Sequence, residues 1–378
     1  MNVDVVSREG PTLWRRFRRF RRSLTELGVA AAVLLGALPG GVGASPLAFD
    51  VVDLHVDLPY QYVYRGRPFS AGTGQYPAEK LAGAGVVGVV LPLYAPRQVG
   101  PDGPRRQDLE ASYARVFEAL ATTPPFGLPG CGSAEVRTWL AFEGAAPLAN
   151  HLEDVPGWVA RGVRSFGLVH SYDNALAGSA TGAARGGLTT AGRAVTRRVY
   201  AAGGFLDVSH ASDRALADVL AIAGELGKPV VATHSNVRAL AGHPRNLSAA
   251  QLRGIARTGG VIGINFHAPY LARGRAATLA DVVEHVRYAV RIAGVSHVAI
   301  GSDFEGDIRP PPELSDVAAF PRLARALSDA GLATEAVRAI MSENALRILC
   351  PRPTKAAASA SRARASPQPR HLVVNAAR

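Results

Sequence analysis

The stretch GGFLDVSHASDRALADVLAIAGELGKPVVATHS, residues 203–235, places two short apolar runs on either side of a helical pattern. Hydrophobic residues fill each run instead of alternating with polar ones, which is typical of a parallel strand in a covered sheet. The intervening helix candidate begins after Ser212, a residue type that caps helices, and ends at Gly227. The stretch therefore predicts a strand, a crossover helix and a second strand parallel to the first.

The same pattern recurs along most of the chain. Six further apolar runs have the character of strands, and they are FDVVDLHVD (49–57), VVGVVLPLY (86–94), RTWLAFEG (137–144), GVRSFGLVH (162–170), GGVIGINF (259–266) and HVAIGSDF (297–304). Further helix candidates lie between strands at residues 108–121, 189–203, 248–259 and 279–294. Eight parallel strands joined by helices close a TIM barrel, so we predict an α/β fold of the (β/α)8 type.

The first 44 residues have the features of an export signal. The basic segment RRFRRFRR (15–22) precedes the apolar run LGVAAAVLLGAL (27–38) and the small residues PGGVGAS. The apolar run is too short to cross a bilayer comfortably, so we expect no stable membrane span. We expect cleavage near Ala44 and an exported protein, either periplasmic or secreted; an uncleaved amphipathic anchor is the alternative.

Residues 351–378 are rich in Pro, Ala, Ser and Arg and show no helical or strand period, which predicts a disordered basic tail. The signal segment carries a net charge of +4 and the tail +6, which leaves +2 of the formal +12 to residues 45–350. Because the basic charge belongs to separable segments, we expect no nucleic-acid binding. Residues 45–350 should form one TIM-barrel domain.

The chain contains two cysteines, Cys131 and Cys350. A disulfide between them would suit an oxidising compartment, and two unpaired buried thiols are the alternative. Two cysteines cannot form a zinc site by themselves.

Polar side chains end most of the predicted strands. In a strand, residues two apart point to the same face, so His55 and Asp57 would project together after the first strand. The other polar residues end five further strands, and they are Glu143, His170, His210, His234 and Asp303. In a barrel these ends converge on one face, which is the face where TIM-barrel enzymes keep their active sites.

Five of these residues can account for a two-metal site. Two tetrahedral metals need eight ligand positions, and a bridging Glu143 would fill two of them while one shared hydroxide fills two more. The remaining four positions would be filled by His55, Asp57, His210 and His234. Taken singly, each residue has a plainer explanation, such as a hydrogen-bonded histidine or a carboxylate at a turn. Together they predict a hydrolase whose nucleophile is the shared hydroxide.

These motifs resemble the membrane dipeptidases, also called renal dipeptidases, which are zinc peptidases of the amidohydrolase superfamily. The resemblance extends from Asp53 to Leu349 and rests on DLHVDLP, FEGA, DVSHAS, ATHSNVRAL and GSDFEG, with further matches in GLVHSYDN, HPRNL, NFHAPY and SENALRIL. Val56 and Ala145 depart from the residues usual in the family, but neither would supply a ligand.

The resemblance implies hydrolysis of short peptides, above all dipeptides, by two Zn²⁺ ions and a metal-bridging hydroxide. Asp303 would carry a proton from the attacking water to the leaving amine, and His170 would contact the substrate and stabilise the oxyanion. Arg245 would bind the carboxylate of the substrate. The residues expected to line the pocket beside it are Tyr270, Asn265 and Phe266.

Many members of this superfamily bridge their metals through a carboxylated lysine instead. Residues 45–350 contain only Lys80 and Lys228, neither at a predicted strand end, which favours Glu143 as the bridge. The remaining histidines are expected to be structural, and they are His151, His243, His267, His285 and His297.

Two other functions remain open from the sequence. A related metal-dependent amidohydrolase would act on N-acyl amino acids, β-lactams or dipeptides with a D-residue at the C-terminal side. An exported binding protein that has lost its activity is the other. The expected partner of the enzyme is a small peptide substrate, and the oligomeric state stays open, a homodimer included.

Overall fold

The structure is a computed structural model that describes residues 49–70, 74–94 and 105–351. The expected export signal, and the expected tail after Pro351, lie outside the described residues. The domain boundaries near residues 44 and 351 therefore stay predictions.

The described residues form a closed barrel of parallel strands surrounded by helices, which confirms the predicted (β/α)8 fold. Eight strands close the barrel, and they are β1 (Val51–Asp53), β2 (Val86–Leu93), β4 (Val136–Glu143), β5 (Val163–Gly167), β6 (Phe205–Asp207), β7 (Val230–Ala232), β8 (Val261–Ile264) and β9 (Val298–Ile300). Pairing of β2 with β4 and of β1 with β9 completes the circle. A ninth strand, β3 (Phe126–Pro129), was not predicted from the sequence. It pairs with the first residues of β4 and is not one of the eight strands that close the barrel.

Regular strand pairing ends earlier than the apolar runs predict. β6 ends at Asp207 and β7 at Ala232, so His210 and His234 lie in the loops that follow. Among the expected site residues only Glu143 belongs to a strand, as the last residue of β4. The backbone leaves the sheet at these points because the loops must turn toward the helices, but the side chains still lie at the carboxyl end of the barrel.

The five predicted helices are present within two residues of their expected ends, as α2 (Arg106–Thr122), α4 (Thr190–Ala202), α5 (Asp213–Leu226), α6 (Ala249–Arg257) and α8 (Leu279–Ala293). The segment matched by SENALRIL ends in α11 (Asn344–Leu349) after a π-helical turn at Ala339–Glu343. Short helices that were not predicted are α1 (Leu58–Tyr64), α3 (Val155–Ala160), α7 (Ala268–Leu271), α9 (Phe320–Asp329) and α10 (Thr334–Arg338). No helix in the described ranges is long and apolar enough to cross a membrane.

The cap residues explain where the crossover helices begin and end. The hydroxyl of Ser212 accepts a hydrogen bond from the backbone N–H of Ala215, which satisfies a free donor at the start of α5. Gly227 then ends α5 with a φ of 60°, in the left-handed region that favours glycine.

The main core lies between the barrel and its helices. Phe142 on β4 packs edge-on against Trp158 of α3, with ring centroids 4.9 Å apart, and against Phe166 of β5 at 5.4 Å. Because side chains alternate along a strand, burial of Phe142 on the helix side turns the neighbouring Glu143 toward the barrel mouth. The packing of the core therefore orients a site residue.

Cys131 and Cys350 form a disulfide, with their Cα atoms 5.8 Å apart. The alternative of two unpaired thiols is therefore wrong. The bond joins the segment before β4 to the residue that follows α11, at the end of the barrel opposite the carboxyl ends of the strands.

Candidate metal centre

The residues expected to bind metal meet at the carboxyl end of the barrel. They border a cavity of about 300 Å³, whose lining includes Asp57, Glu143, His210 and Asp303. His55 and His234 lie beneath it and are each only 1% exposed. The expected metal ligands, which lie at the end of β4 or in the loops after β1, β6 and β7, thus converge on one buried point.

Glu143 lies at the centre of this group. Its Oε1 atom is 3.0 Å from Nε2 of His210, 3.4 Å from Nε2 of His55 and 3.5 Å from Nε2 of His234. Burial alone would raise the pKa of Glu143, but the facing imidazoles hold it well below its ordinary value. Glu143 is therefore an ionised carboxylate that faces histidines from both halves of the predicted ligand set.

His55 and Asp57 flank Val56, which makes an isolated bridge to Phe304 beyond the end of β1. Their side chains lie together, with His55 Nε2 3.7 Å from Asp57 Oδ2. Burial lowers the pKa of His55, but the negative charges of Glu143 and Asp57 outweigh it and raise the value to about 10. The carboxylates thus favour a positive charge at this point, which a metal at Nε2 would supply in place of the proton.

His210 and His234 complete the second half of the group. Their Nε2 atoms lie 2.9 Å apart. Burial, together with nearby positive charges, lowers the pKa of both imidazoles well below the ordinary value. They are therefore neutral, which is the form that binds metals.

The side chains fit a pair of metal ions. Two sets of ligand atoms that lie within 4.8 Å of one another share Glu143: one comes from His55, Asp57 and Glu143, and the other from Glu143, His210 and His234. A third such set comes from His55, His234 and Asp303. Two buried atoms, His55 Nε2 and Asp57 Oδ1, have no hydrogen-bond partner among the described residues. Imidazole and carboxylate donors in such sets are those that zinc uses. The group is therefore a candidate metal centre in which Glu143 is common to two of the three sets.

Asp303 lies beside the two sets in a strained backbone conformation, with a φ of 66°. Its Oδ2 atom accepts a hydrogen bond from Nδ2 of Asn265 at 2.8 Å, and its backbone N–H donates to the carbonyl of His55. Burial, and then the charge of Glu143, raise its pKa to about 6. A carboxyl group with a pKa near neutrality is suited to take up and release a proton.

His170 faces the cavity above His210, with the two rings 4.3 Å apart, and it also contacts the ring of Tyr94 at 4.6 Å. Burial lowers its pKa, so the ring is neutral. The hydroxyl of Ser171 lies 3.1 Å from Nδ1. A hydroxyl that donates to Nδ1 leaves an N–H on Nε2, which can donate to a substrate oxygen.

Arg245 is 3% exposed but borders the cavity. Its Nη2 atom donates to the carbonyl of His234 at 3.4 Å, and its Nε and Nη1 atoms have no hydrogen-bond partner in the described ranges. The guanidinium carbon lies 5.7 Å from the ring centre of Tyr270. A buried cation with free donors at a cavity wall is suited to bind a carboxylate.

Three expectations about the pocket need correction. Phe266 is fully buried and packs 5.5 Å from the ring of Phe304, so it belongs to the core and not to the cavity wall. Asn265 is also fully buried and acts through its hydrogen bond to Asp303. His267 was expected to be purely structural, but it lines the cavity together with Tyr270.

Three supporting residues were not singled out in the sequence. Asp53 accepts hydrogen bonds from the backbone and hydroxyl of Ser302, which ties β1 to the loop after β9. Asp207 and Thr233 form a similar buried link between β6 and β7. Their only sequence signal is a polar residue inside an apolar run, which does not reveal a partner on another strand.

Fold and site together define a metal-dependent hydrolase with a (β/α)8 barrel. The family model for membrane dipeptidases, peptidase family M19, matches residues 47–363, and the chain belongs to this family of metallodipeptidases.

Individual relatives are consistent with this assignment. The chain is 39% identical over 230 residues to an uncharacterised protein of the pqqA 5′ region in Klebsiella pneumoniae, covering 58% of this chain and 83% of that protein. It is 31% identical over 249 residues to dipeptidase aclJ of Aspergillus oryzae, covering 62% of this chain and 58% of that enzyme. The fold superposes with a TM-score of 0.71 on a metallopeptidase from Rhodobacter sphaeroides, solved with a phosphinate mimic of L-Ala-D-Ala, at 24% identity over 80% of this chain and 99% of the other.

Proposed function

We propose that this protein hydrolyses the peptide bond of free dipeptides with two zinc ions. The observation that carries the proposal is the single Glu143 oxygen that lies within 3.5 Å of His55, His210 and His234. A carboxylate in that position can join two sets of ligands into one two-metal site. One set would be His55, Asp57 and Glu143, and the other Glu143, His210 and His234.

Two bound zinc ions would polarise the scissile carbonyl and lower the pKa of the attacking water. Asp303 then accepts a proton from that water as the new C–O bond forms. As the C–N bond breaks, Asp303 returns the proton to the leaving amine nitrogen. The raised pKa of Asp303, about 6, suits both halves of this transfer.

His170 and Arg245 act on the substrate itself. The Nε2–H of a neutral His170 donates to the carbonyl oxygen as negative charge develops on it. Arg245 binds the terminal carboxylate through its Nε and Nη1 donors, which have no hydrogen-bond partner among the described residues, with Tyr270 at its side. A cavity of about 300 Å³ with this cation at its wall favours substrates of two residues.

The substrate range proposed here includes dipeptides with a D-residue at the C-terminal side. The Rhodobacter sphaeroides relative was solved with a mimic of L-Ala-D-Ala, which supports this choice. Because Arg245 would bind the terminal carboxylate and not the last side chain, the configuration of the last residue should have less effect on substrate binding.

The protein is further proposed to act after export, in the periplasm or outside the cell. The basic and apolar pattern of residues 15–44 supports this compartment. The Cys131–Cys350 disulfide supports it as well, because such bonds persist in oxidising compartments. Cell fractionation followed by blotting tests the proposal, and a protein found wholly in the cytoplasm contradicts it.

Metal analysis together with a substrate panel tests the proposed activity. We expect close to two zinc ions per chain, and turnover of L,L and L,D dipeptides that is lost with a strong chelator and restored by zinc. Full activity in the metal-free protein contradicts the mechanism. Hydrolysis confined to N-acyl amino acids or β-lactams contradicts the substrate class.

A further inference from the structure

The hydroxyl of Thr233 lies beneath the metal centre between a carboxylate and two imidazoles. Its Oγ1 atom is 2.5 Å from Oδ2 of Asp207, 2.9 Å from Nδ1 of His234 and 3.3 Å from Nδ1 of His55. The Oγ atom of Ser209 lies 3.2 Å away. One hydroxyl thus contacts a histidine from each of the two candidate ligand sets that share Glu143, and these two histidines also form the third set with Asp303.

The directions of these hydrogen bonds follow from the number of protons. A hydroxyl has one proton and two acceptor lone pairs, whereas an ionised carboxylate only accepts. The short contact to Asp207 therefore takes the proton of Thr233. The oxygen is left to accept from the Nδ1–H groups of His234 and His55, which directs the Nε2 atoms of both rings away from Thr233 and toward the candidate metal centre.

Asp207 is held so that it cannot turn away from this role. Its Oδ1 atom accepts from the backbone N–H groups of Ser209 and Thr233, both at 3.0 Å, and from the Ser209 hydroxyl at 2.6 Å. Its Oδ2 atom is thereby directed at Thr233. The carboxylate has no proton donor of its own to offer the imidazoles, so it acts on them through the hydroxyl.

The backbone of Thr233 is equally constrained. A Cβ atom at Gly263 would lie 2.0 Å from the Thr233 carbonyl oxygen, and one at Gly301 would lie 1.7 Å from it. Only glycine at these positions lets β8 and the end of β9 approach so closely. Thr233, His55 and His234 are each at most 1% exposed, so bulk water cannot replace the hydroxyl.

We propose that Thr233, oriented by Asp207, is a positioning residue that accepts from Nδ1–H of both His55 and His234 and so turns the Nε2 atom of each ring toward the metal centre. The proposal rests on the two-metal site proposed above. His210 differs from these two ligands, because its buried Nδ1 has no hydrogen-bond partner among the described residues. One threonine would therefore couple the two ligand sets.

Three variants of the full-length protein distinguish the effect of the Thr233 hydroxyl from the effect of the shape of its side chain. Thr233→Val keeps the shape and removes the hydroxyl, Thr233→Ser keeps the hydroxyl, and Thr138→Val is the matched control. Thr138 is likewise fully buried in the barrel, and its hydroxyl bonds to the carbonyl of Gly127, away from the metal centre. Thermal unfolding of the metal-free proteins shows that each variant folds.

The measurement is competition for Zn²⁺ against a chromophoric chelator, which gives a dissociation constant for each metal. Partners that orient metal-bound histidines typically contribute about 10- to 100-fold in affinity, and we expect a loss of that size in Thr233→Val. The loss should be larger for the set that contains His234, because its contact to Thr233 is the shorter one. Thr233→Ser and Thr138→Val should stay within about threefold of wild type, well short of the loss expected for a missing partner.

Asp207→Asn provides a test that does not alter Thr233. The amide oxygen would face the two backbone N–H groups, so the amide NH₂ would face the hydroxyl of Thr233 and donate to it. The hydroxyl proton would then turn toward a ring nitrogen, and that imidazole would carry its own proton on Nε2, where it blocks metal binding. We expect weakened binding of one zinc, and a change of tautomer in the ¹⁵N chemical shifts of the neutral His234 imidazole in the metal-free protein.

Wild-type affinity for both metals in Thr233→Val would overturn the proposal. So would a Thr233→Ser variant as weak as Thr233→Val, because packing and not the hydroxyl would then matter. If Thr233→Val does not fold, unchanged zinc affinity and unchanged tautomers in Asp207→Asn overturn it. Uptake of a single metal by the wild type would refute the two-metal site, and that failure is visible before any variant is compared.

Discussion

Arg245 offers the sharpest test of how the pocket recognises its substrate. Arg245→Met removes the guanidinium charge and keeps much of the side-chain bulk in a position that is only 3% exposed. In the wild type, the substrate carboxylate would pair with donors on Nε and Nη1, for which the described part of the chain offers no hydrogen-bond partner. Loss of one member of a buried charge pair costs about 2–5 kcal/mol. Since about 1.4 kcal/mol corresponds to a factor of ten, kcat/KM should fall about 30- to 4000-fold.

The assay compares a free dipeptide with its C-terminal amide in both proteins. The wild type should prefer the free dipeptide by a factor of the same order, because the amide lacks the charge that Arg245 binds. Arg245→Met should lose most of this preference and cleave the amide about as well as the wild type does. The effects of Arg245→Met and of replacing the substrate carboxylate by an amide should therefore not be additive, as expected for groups in direct contact.

Two controls accompany the measurement. Zinc content should be unchanged in Arg245→Met, because Arg245 belongs to neither ligand set. Arg197→Met removes a half-exposed arginine that pairs with Glu225 on the outer helices, and it should leave kcat/KM unchanged. Equal cleavage of dipeptides and amides by the wild type, or loss of zinc in Arg245→Met, would refute the assignment.

Four further variants address other parts of the molecule. Glu143→Ala should abolish activity and lower the zinc content, whereas Lys228→Ala should change neither. If Lys228→Ala is inactive while Glu143→Ala binds zinc normally, Glu143 is not the bridging ligand. Asp303→Asn should retain two zinc ions and lower kcat by about 10²- to 10⁴-fold, the usual contribution of general acid–base catalysis; loss of zinc with normal activity per bound metal would make Asp303 a support for the ligands. Replacement of both Cys131 and Cys350 by serine should lower the free energy of unfolding by about 2–4 kcal/mol with zinc content unchanged, as calorimetry and metal analysis can show.

Much of the site was predictable because its residues follow apolar runs. A histidine or carboxylate at the end of such a run lies at the mouth of a parallel barrel whatever the exact length of the strand. This is why His210 and His234 meet at the metal centre although β6 and β7 end two or three residues earlier than expected. The prediction that Glu143 is the bridge depended only on the count of available ligands and on the absence of lysine from the predicted strand ends.

The pocket lining was less predictable. Phe266 and His267 are neighbours in the chain, but Phe266 packs into the core and His267 faces the cavity. Which of two adjacent side chains faces the substrate depends on how the loop after β8 turns. That turn is decided by contacts to residues far away in sequence, such as the hydrogen bond from the backbone N–H of Arg309 to His267 Nδ1.

By itself, the sequence determined the parallel barrel, the end of the barrel that carries the chemistry, and the residue types available for metal. These properties follow from local periodicity, because apolar runs, cap residues and the polar residues after them are adjacent in the chain. Only the tertiary structure decided the disulfide, the buried position of Arg245 and the link from Asp207 through Thr233 to His55 and His234. Each of these depends on the distance and direction between atoms on different strands or loops, which no local pattern specifies.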